Sequence, residues 1–192
     1  MTSTATTSRA LVAIAARARA VLAALLLAIA AAGVACGGGG GEDGASGALT
    51  TENYFERLEE IAVQYDEEGL AIEEEFDFTT AQSEQELIAR AQGFFREGRE
   101  VFGTFVENLV DLDPPDELAE AHNEAVASGR DALERFSELA ELVQDVETEA
   151  ELLAAFEAVS PEDEALERFS ASCLALQSLA EEHGVDIDLR CG

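Results

Sequence analysis

The chain has 192 residues, and its 41 acidic residues outnumber its 11 lysines and arginines, which gives a formal net charge of −30 at pH 7. All 11 of these basic residues are arginines, since no lysine occurs. Nucleic-acid backbones and anionic lipid headgroups are bound by basic surfaces, so we expect no nucleic-acid partner and no direct adsorption of the protein surface to anionic lipid.

The first 35 residues have the pattern of a secretion signal. The charged residues before Cys36 are Arg9, Arg17 and Arg19, and an apolar run follows over residues 20–32. A positive start, an apolar middle of about 7–15 residues and a small-residue end are typical of a cleaved secretory signal. The run is short for a membrane span, which needs roughly 20 apolar residues. We therefore predict a signal peptide over residues 1–35.

The residues around the predicted cleavage site, Gly33-Val34-Ala35-Cys36, resemble the lipobox of bacterial lipoproteins. Gly33 occupies a position where that family usually has a large aliphatic residue. In the family the cysteine is lipidated on its thiol, the chain is cut before it, and the new amine is acylated. The resemblance implies that Cys36 is the lipid acceptor and that the protein is held at the extracytoplasmic face of the cell membrane. Ordinary secretion after Ala35 and an uncleaved anchor are the alternatives.

A flexible linker follows the acceptor cysteine. Residues 37–41 are all glycine, and residues 42–47 are small or acidic. Eleven such residues span about 18 Å as a coil, from about 5–6 Å times the square root of their number. We therefore assign residues 36–48 to the lipid-acceptor cysteine with its glycine-rich linker, and residues 49–192 to one folded helical domain.

The first two helical patterns follow the linker. A threonine N-cap precedes apolar residues that recur every three or four positions over residues 54–76. A turn separates them from a capping box at Ser83–Glu86, in which the serine accepts from a helix amide and the glutamate reaches back. The second pattern covers residues 87–112, and Gly98 within its apolar stripe predicts close approach by a neighbouring helix.

Two further long patterns and one short pattern complete the helices. The segment 113–116, Asp-Pro-Pro-Asp, is predicted to end the second helix and to begin the third, since proline is tolerated in a first helical turn. The third pattern covers residues 118–143, and a capping box at Thr148–Glu151 precedes the short helix. The last helix is predicted to start with a cap and first turn over residues 160–163 and to end at Gly184.

The cysteine pair Cys173 and Cys191 is predicted to form a disulfide. With Cys36 committed to lipid, an even number of cysteines remains, and a protein outside the cytoplasm lies in an oxidising compartment. A zinc site formed by the two cysteines with His183 is the alternative, although the spacing matches no standard zinc pattern.

The residues after Gly184 alternate apolar and acidic side chains and are predicted to be extended. Cys173 lies about 15 Å from the helix end at the helical rise per residue, and seven extended steps after Gly184 reach about 23 Å. The tail can therefore fold back antiparallel along the last helix, so that Val185, Ile187 and Leu189 cover apolar surface.

Four long patterns, short connections and the lack of a strand-rich run predict an all-α fold: an antiparallel bundle of four long helices plus one short helix, with an extended C-terminal tail. Three further features of the domain are Tyr54-Phe55 after the threonine cap, Pro114-Pro115 with His122 following, and Cys173 with Cys191-Gly192. In these features the domain resembles uncharacterised helical lipoproteins of high-GC bacteria, a family that supplies no activity.

Candidate sites within the domain are few. His122 lies on the apolar face of the third pattern, where a core histidine is the ordinary role and ligand contact is the alternative. The Glu-x-x-His pairs of di-iron bundles, the spaced ligands of an EF-hand and a Gly-x-Ser-x-Gly nucleophile motif are all missing from the sequence. We therefore expect no metal site, no cofactor and no enzymatic activity, and retain His122 as a candidate ligand-binding residue.

Two functions fit these expectations. In the first, the protein is a membrane-anchored lipoprotein whose acidic bundle is a non-catalytic interaction module for another envelope protein. In the second, it is an extracytoplasmic binding protein for a cation or a small cationic ligand, using its carboxylates with His122. Neither function fixes an oligomeric state.

Overall fold

The computed structural model describes residues 49–158 and 164–191. No strand occurs in these two stretches, and a short 3₁₀ turn at Phe78–Thr80 follows the first helix. The predicted all-α bundle of four long helices and one short helix is confirmed. The helices are α1 (Thr51–Glu75), α2 (Glu84–Val110), α3 (Ala119–Gln144), α4 (Glu149–Ala158) and α5 (Glu164–Glu182).

Several predictions concern residues outside the described part. They are the signal peptide over residues 1–35, the acceptor Cys36 with its linker over residues 36–48, and the helix cap over residues 160–163. All of these stay predictions. Within the described residues, no helix combines the length and the apolar character needed to cross a membrane.

Side-chain caps begin α1, α2 and α4 where the sequence places them. At α1 the Thr50 hydroxyl accepts from the Asn53 N–H at 3.3 Å. In the boxes Ser83–Glu86 and Thr148–Glu151, the hydroxyl accepts from the glutamate N–H at 3.2 and 3.3 Å. Each glutamate in turn accepts from a backbone N–H just before the helix, at 2.9 Å. These backbone hydrogen bonds lower the pKa of both glutamates, because they favour the ionised carboxylate.

The start of α3 differs from the prediction. Pro114 and Pro115 lie in the connection rather than in the first helical turn, and α3 begins at Ala119. The helical region of φ and ψ is disfavoured for a residue that precedes a proline. Pro115 therefore keeps Pro114 out of a helix. The chain then turns, with the Leu118 N–H donating to the Pro115 carbonyl at 2.9 Å. The N-cap Leu118 makes no side-chain cap hydrogen bond.

Packing follows the order of the helices along the chain. The most extensive contacts pair α1 with α2, α2 with α3, and α3 with α5. The close approach predicted at Gly98 is confirmed, since a Cβ atom added there would lie 3.2 Å from the Phe136 ring on α3. α4 packs across α2 and α3.

The apolar core divides into two clusters along the bundle. The cluster at the α4 end joins the second half of α1, α2, the second half of α3 and α4, and includes the fully buried Phe95 and Phe102. The cluster at the tail end joins the first halves of α1 and α3 with α5 and residues 185–191. Phe105 is packed against both clusters and therefore connects them.

Gly184 ends α5 as predicted. Its φ angle is +74°, in the left-handed region that favours glycine. The Val185 N–H donates to the Ala180 carbonyl at 2.9 Å, and the Gly184 N–H donates to the Glu181 carbonyl at 3.0 Å. These bonds satisfy carbonyls at the end of the helix and turn the chain back along it.

Candidate functional site

The C-terminal tail, residues 185–191, lies antiparallel along α5, as the sequence predicts. The Gln177 side chain holds it at two points, donating to the Ile187 carbonyl and accepting from the Leu189 N–H, both at 2.7 Å. Ile187 and Leu189 are buried, whereas the acidic residues between and before them are exposed. The tail therefore covers apolar surface with one edge and presents carboxylates to solvent with the other.

The predicted cysteine pair is present. Cys173 on α5 and Cys191 in the tail lie at disulfide-bonding distance, with Cα atoms 5.6 Å apart. Cys191 is buried and Cys173 is partly exposed. The zinc alternative also needed His183 as a ligand, but no group of three or more histidine, cysteine, aspartate or glutamate side chains is arranged for a metal ion in the described stretches.

The tail also binds α1, which the sequence did not predict. The Asp188 N–H donates to the Glu59 carboxylate at 2.8 Å, and the Arg190 guanidinium forms an ion pair with Asp66. Arg190 has a φ angle of +53°, and its N–H donates to the Asp188 carboxylate at 2.8 Å. The tail is thus fixed to α5 on one side and to α1 on the other.

An acidic groove opens beside this tail, at the end of the bundle where the linker joins α1. Its volume is about 500 Å³. Four carboxylates and one imidazole belong to it, and none of them forms an ion pair with another residue of the described chain. The lining residues are Thr51, Glu52, Glu56, Glu59, His183, Gly184, Val185, Asp186 and Ile187.

The spacing on α1 concentrates the charge in this groove. Glu52, Glu56 and Glu59 follow one another at four and three positions, so they lie on one face of the helix. Like charges at this spacing destabilise a helix by about 0.2–0.5 kcal/mol per pair. A cationic group bound in the groove would relieve this repulsion.

The candidate His122 lies in the core rather than among the groove residues. Its Nδ1 atom is 3.1 Å from the Tyr54 hydroxyl oxygen, and both residues are buried. Burial lowers the pKa of His122 and raises the pKa of Tyr54. The lowered pKa favours the neutral imidazole, and the tautomer of His122 decides which group donates in its hydrogen bond with the Tyr54 hydroxyl. This is the geometry of a satisfied core histidine; contact of His122 with a ligand stays a prediction.

The buried His122 is expected to make stability depend on pH. Because the folded pKa is depressed, the contribution of neutral His122 is fully present above the unfolded pKa of about 6.5 and is lost as pH falls through the folded pKa. The measurement is urea denaturation of the wild type and of His122→Gln between about pH 7.5 and 5. As the pH falls, the free energy of unfolding should decrease more in the wild type than in the variant. Parallel profiles for wild type and His122→Gln would contradict the assignment.

The groove residues were missed by sequence reasoning, although one signal was present. The spacing of Glu52, Glu56 and Glu59 identifies a single acidic face of α1 from the sequence alone. His183 and Asp186 reach the groove because of the way the chain turns at Gly184, and only the folded structure shows this turn. No protein-family model, curated protein or solved structure matches this chain.

Proposed function

We propose that the protein is a lipoprotein of the cell membrane whose helical bundle is a non-catalytic module that binds a basic segment of another envelope protein. The observation that carries this proposal is the unpaired negative charge of the acidic groove. The lipid anchor, the extracytoplasmic location and the partner all belong to the proposal.

The charge balance of the chain supports a basic partner. After Cys36, eight arginines stand against 41 acidic residues, which leaves a net charge of −33. Six of these arginines are already held in ion pairs with the domain's own carboxylates. The groove carboxylates have no such partner in the described chain. Arginine or lysine side chains from another protein would supply the missing charge, and complementary charge of this kind speeds encounter and selects partners.

The position of the groove fits a partner at the membrane. Thr51 lines the groove, and the linker joins the domain at Leu49, whose N–H donates to the Asp113 carbonyl at 3.1 Å. With Cys36 lipidated, a linker of about 18 Å would hold this end of the bundle near the bilayer. Basic segments next to transmembrane helices of envelope proteins would then lie within reach of the groove.

The anchor is tested by replacing its acceptor residue. Cys36→Ser is expected to leave unprocessed precursor and to abolish labelling by a fatty-acid probe, because the thiol that carries lipid is gone. The measurement is metabolic labelling with an alkyne fatty acid, followed by immunoblotting for precursor and mature sizes. Cys173→Ser serves as the control and should still be labelled. Release of a mature-sized soluble protein from Cys36→Ser cells would show ordinary secretion instead.

The groove is tested by removing its charge without changing its size. The variant Glu52→Gln/Glu56→Gln/Asp186→Asn is expected to lose a specific partner in crosslinking within intact cells. The matched control Glu67→Gln/Glu74→Gln/Asp145→Asn also removes three charges from exposed positions, and should retain the partner. Equal recovery of the partner with both triple variants would contradict the groove assignment, and equal loss would indicate a general charge effect.

Binding of a cation or a small cationic ligand is a second candidate function. The carboxylates of the same groove favour a small organic cation, because no group of described side chains is arranged for a metal ion. Calorimetric titration with calcium and with spermidine at fixed ionic strength separates the two candidates. Saturable binding that the groove variant loses and the control variant keeps would support the second function. The absence of saturable heat for either probe, together with a crosslinked protein partner, would support the first.

A further inference from the structure

The bundle has a seam between α1 and α5 that is closed by the tail. α1 packs mainly on α2, and α5 packs mainly on α3. The first and last helices therefore have no extensive contact with each other. Residues 185–191 occupy this position, binding α5 through Gln177 and α1 through Glu59. The tail is therefore part of the wall of the bundle.

We propose that the tail is a redox-controlled strap: reduction of the Cys173–Cys191 disulfide releases residues 185–191 from the seam, while the four long helices keep their packing. The hinge is Gly184, whose left-handed backbone turns the chain at the end of α5. The open form exposes the apolar interior at the tail end of the bundle. This inference does not depend on the proposed partner.

The contacts that remain after reduction are limited to a few points. Beyond the Val185–Ala180 hydrogen bond at the turn, the polar contacts that fix the tail to α1 and α5 are the Gln177 pair, the Glu59 hydrogen bond and the Arg190–Asp66 ion pair. The Arg190 side chain in that ion pair is 30% exposed, so water competes for it. The extended tail has no ladder of backbone bonds, and its release regains the conformational entropy of seven residues. Burial of Ile187 and Leu189 opposes this release, so the proposal requires the disulfide to supply the margin that keeps the strap closed.

The exposure of the two cysteines favours one direction of attack. Cys173 is partly exposed and Cys191 is buried, so we take Cys173 as the cysteine that an external thiolate attacks. The thiolate of a dithiol reductant forms a mixed disulfide with Cys173, and Cys191 leaves as a thiolate and takes up a proton. The second thiol of the reductant then displaces Cys173, which also takes up a proton, and the reductant ends as its own disulfide.

Opening of the strap would uncover apolar side chains. A small cavity of about 30 Å³ lies under the tail, between α1, α2, α3 and α5. Leu189 of the tail forms part of its wall, together with Leu58 on α1 and Leu176 on α5. Removal of Leu189 joins this cavity to the seam and exposes both leucines to solvent.

Hydrogen–deuterium exchange of the purified full-length protein, with and without dithiothreitol, tests the strap. In the oxidised protein the N–H groups of Asp188 and Leu189 are hydrogen-bonded and should exchange slowly. After reduction we expect the exchange rates of these two amides to rise at least tenfold. The exchange rates of amides in the middle of α2 and α3 should stay the same. Cys191→Ser should exchange like the reduced protein whether or not dithiothreitol is present, which separates release of the strap from other effects of the reductant.

Two results would overturn the proposal. Full protection of the tail amides after reduction would show that packing and hydrogen bonds alone hold the tail. Loss of protection throughout α2 and α3 would show that the disulfide holds the whole bundle rather than the strap. The variant Gln177→Ala gives a second readout: it should speed exchange of Leu189 in the oxidised protein, where this hydrogen bond is present, and have a smaller effect in the reduced protein, where the strap is already released.

Discussion

Phe102→Ala is expected to lower the free energy of unfolding by about 3–5 kcal/mol, the usual loss when a buried phenylalanine is truncated to alanine. The Phe102 side chain is 2% exposed. Its ring lies 5.5 Å from the ring of Phe169 on α5, 5.8 Å from Tyr65 on α1 and 6.4 Å from Phe136 on α3. Truncation leaves a cavity where three other helices meet α2, and these elements cannot all collapse into it.

Urea denaturation followed by circular dichroism measures this loss. Leu142→Ala is the matched control, because Leu142 is also a large apolar residue within a long helix but is 50% exposed. Its substitution should change stability by within about 0.5 kcal/mol. Comparable small losses for both variants would mean that the aromatic cluster around Phe102 does not set the stability of the domain.

Gly93→Ala is expected to destabilise the domain by about 1–3 kcal/mol, because a Cβ atom at this position overpacks the bundle. The added atom would lie 2.3 Å from the Phe76 ring, which covers Gly93 where α1 ends. Gly103→Ala is the control on the same helix, since nothing lies within 4 Å of its added Cβ. That substitution should stabilise the domain by about 0.5–1 kcal/mol, the usual gain of alanine over glycine within a helix.

Thermal and urea unfolding of the two alanine variants should therefore shift in opposite directions. The double variant Gly93→Ala/Phe76→Leu should recover part of the loss, because a smaller and more flexible side chain yields to the added methyl group. If Gly93→Ala were as stable as the wild type, the Phe76 ring would have to move aside at little cost.

Local signals were sufficient to predict most of the fold. The capping boxes at Ser83–Glu86 and Thr148–Glu151 act within four residues of sequence, so their side chains identify the helix starts directly. Gly184 likewise ends α5 through its own backbone freedom. The α3 start was misjudged because two local rules compete at Pro114: proline is tolerated in a first turn, yet a following proline keeps it extended.

Features that depend on two distant elements were not predictable. Ser128 and Ser172 would be assigned to helix surfaces by their polarity, but their hydroxyl oxygens meet at 2.8 Å in the core between α3 and α5. Glu59 and Asp66 read as ordinary solvated residues of α1, whereas in the structure they hold the tail. Periodicity places a residue on a face of its helix, but it does not say which distant segment covers that face.

The contacts between the tail and α1 also bear on the order of folding. They join residues 124 and 129 positions apart in the chain, whereas α1 with α2 and α2 with α3 are neighbours in sequence. Contacts between sequence neighbours close small loops and form quickly, while distant contacts close large loops at a greater entropic cost. The helical hairpins are therefore expected to assemble within the first kinetic phase, and docking of the tail on α1 is expected to be the final, slower step of folding.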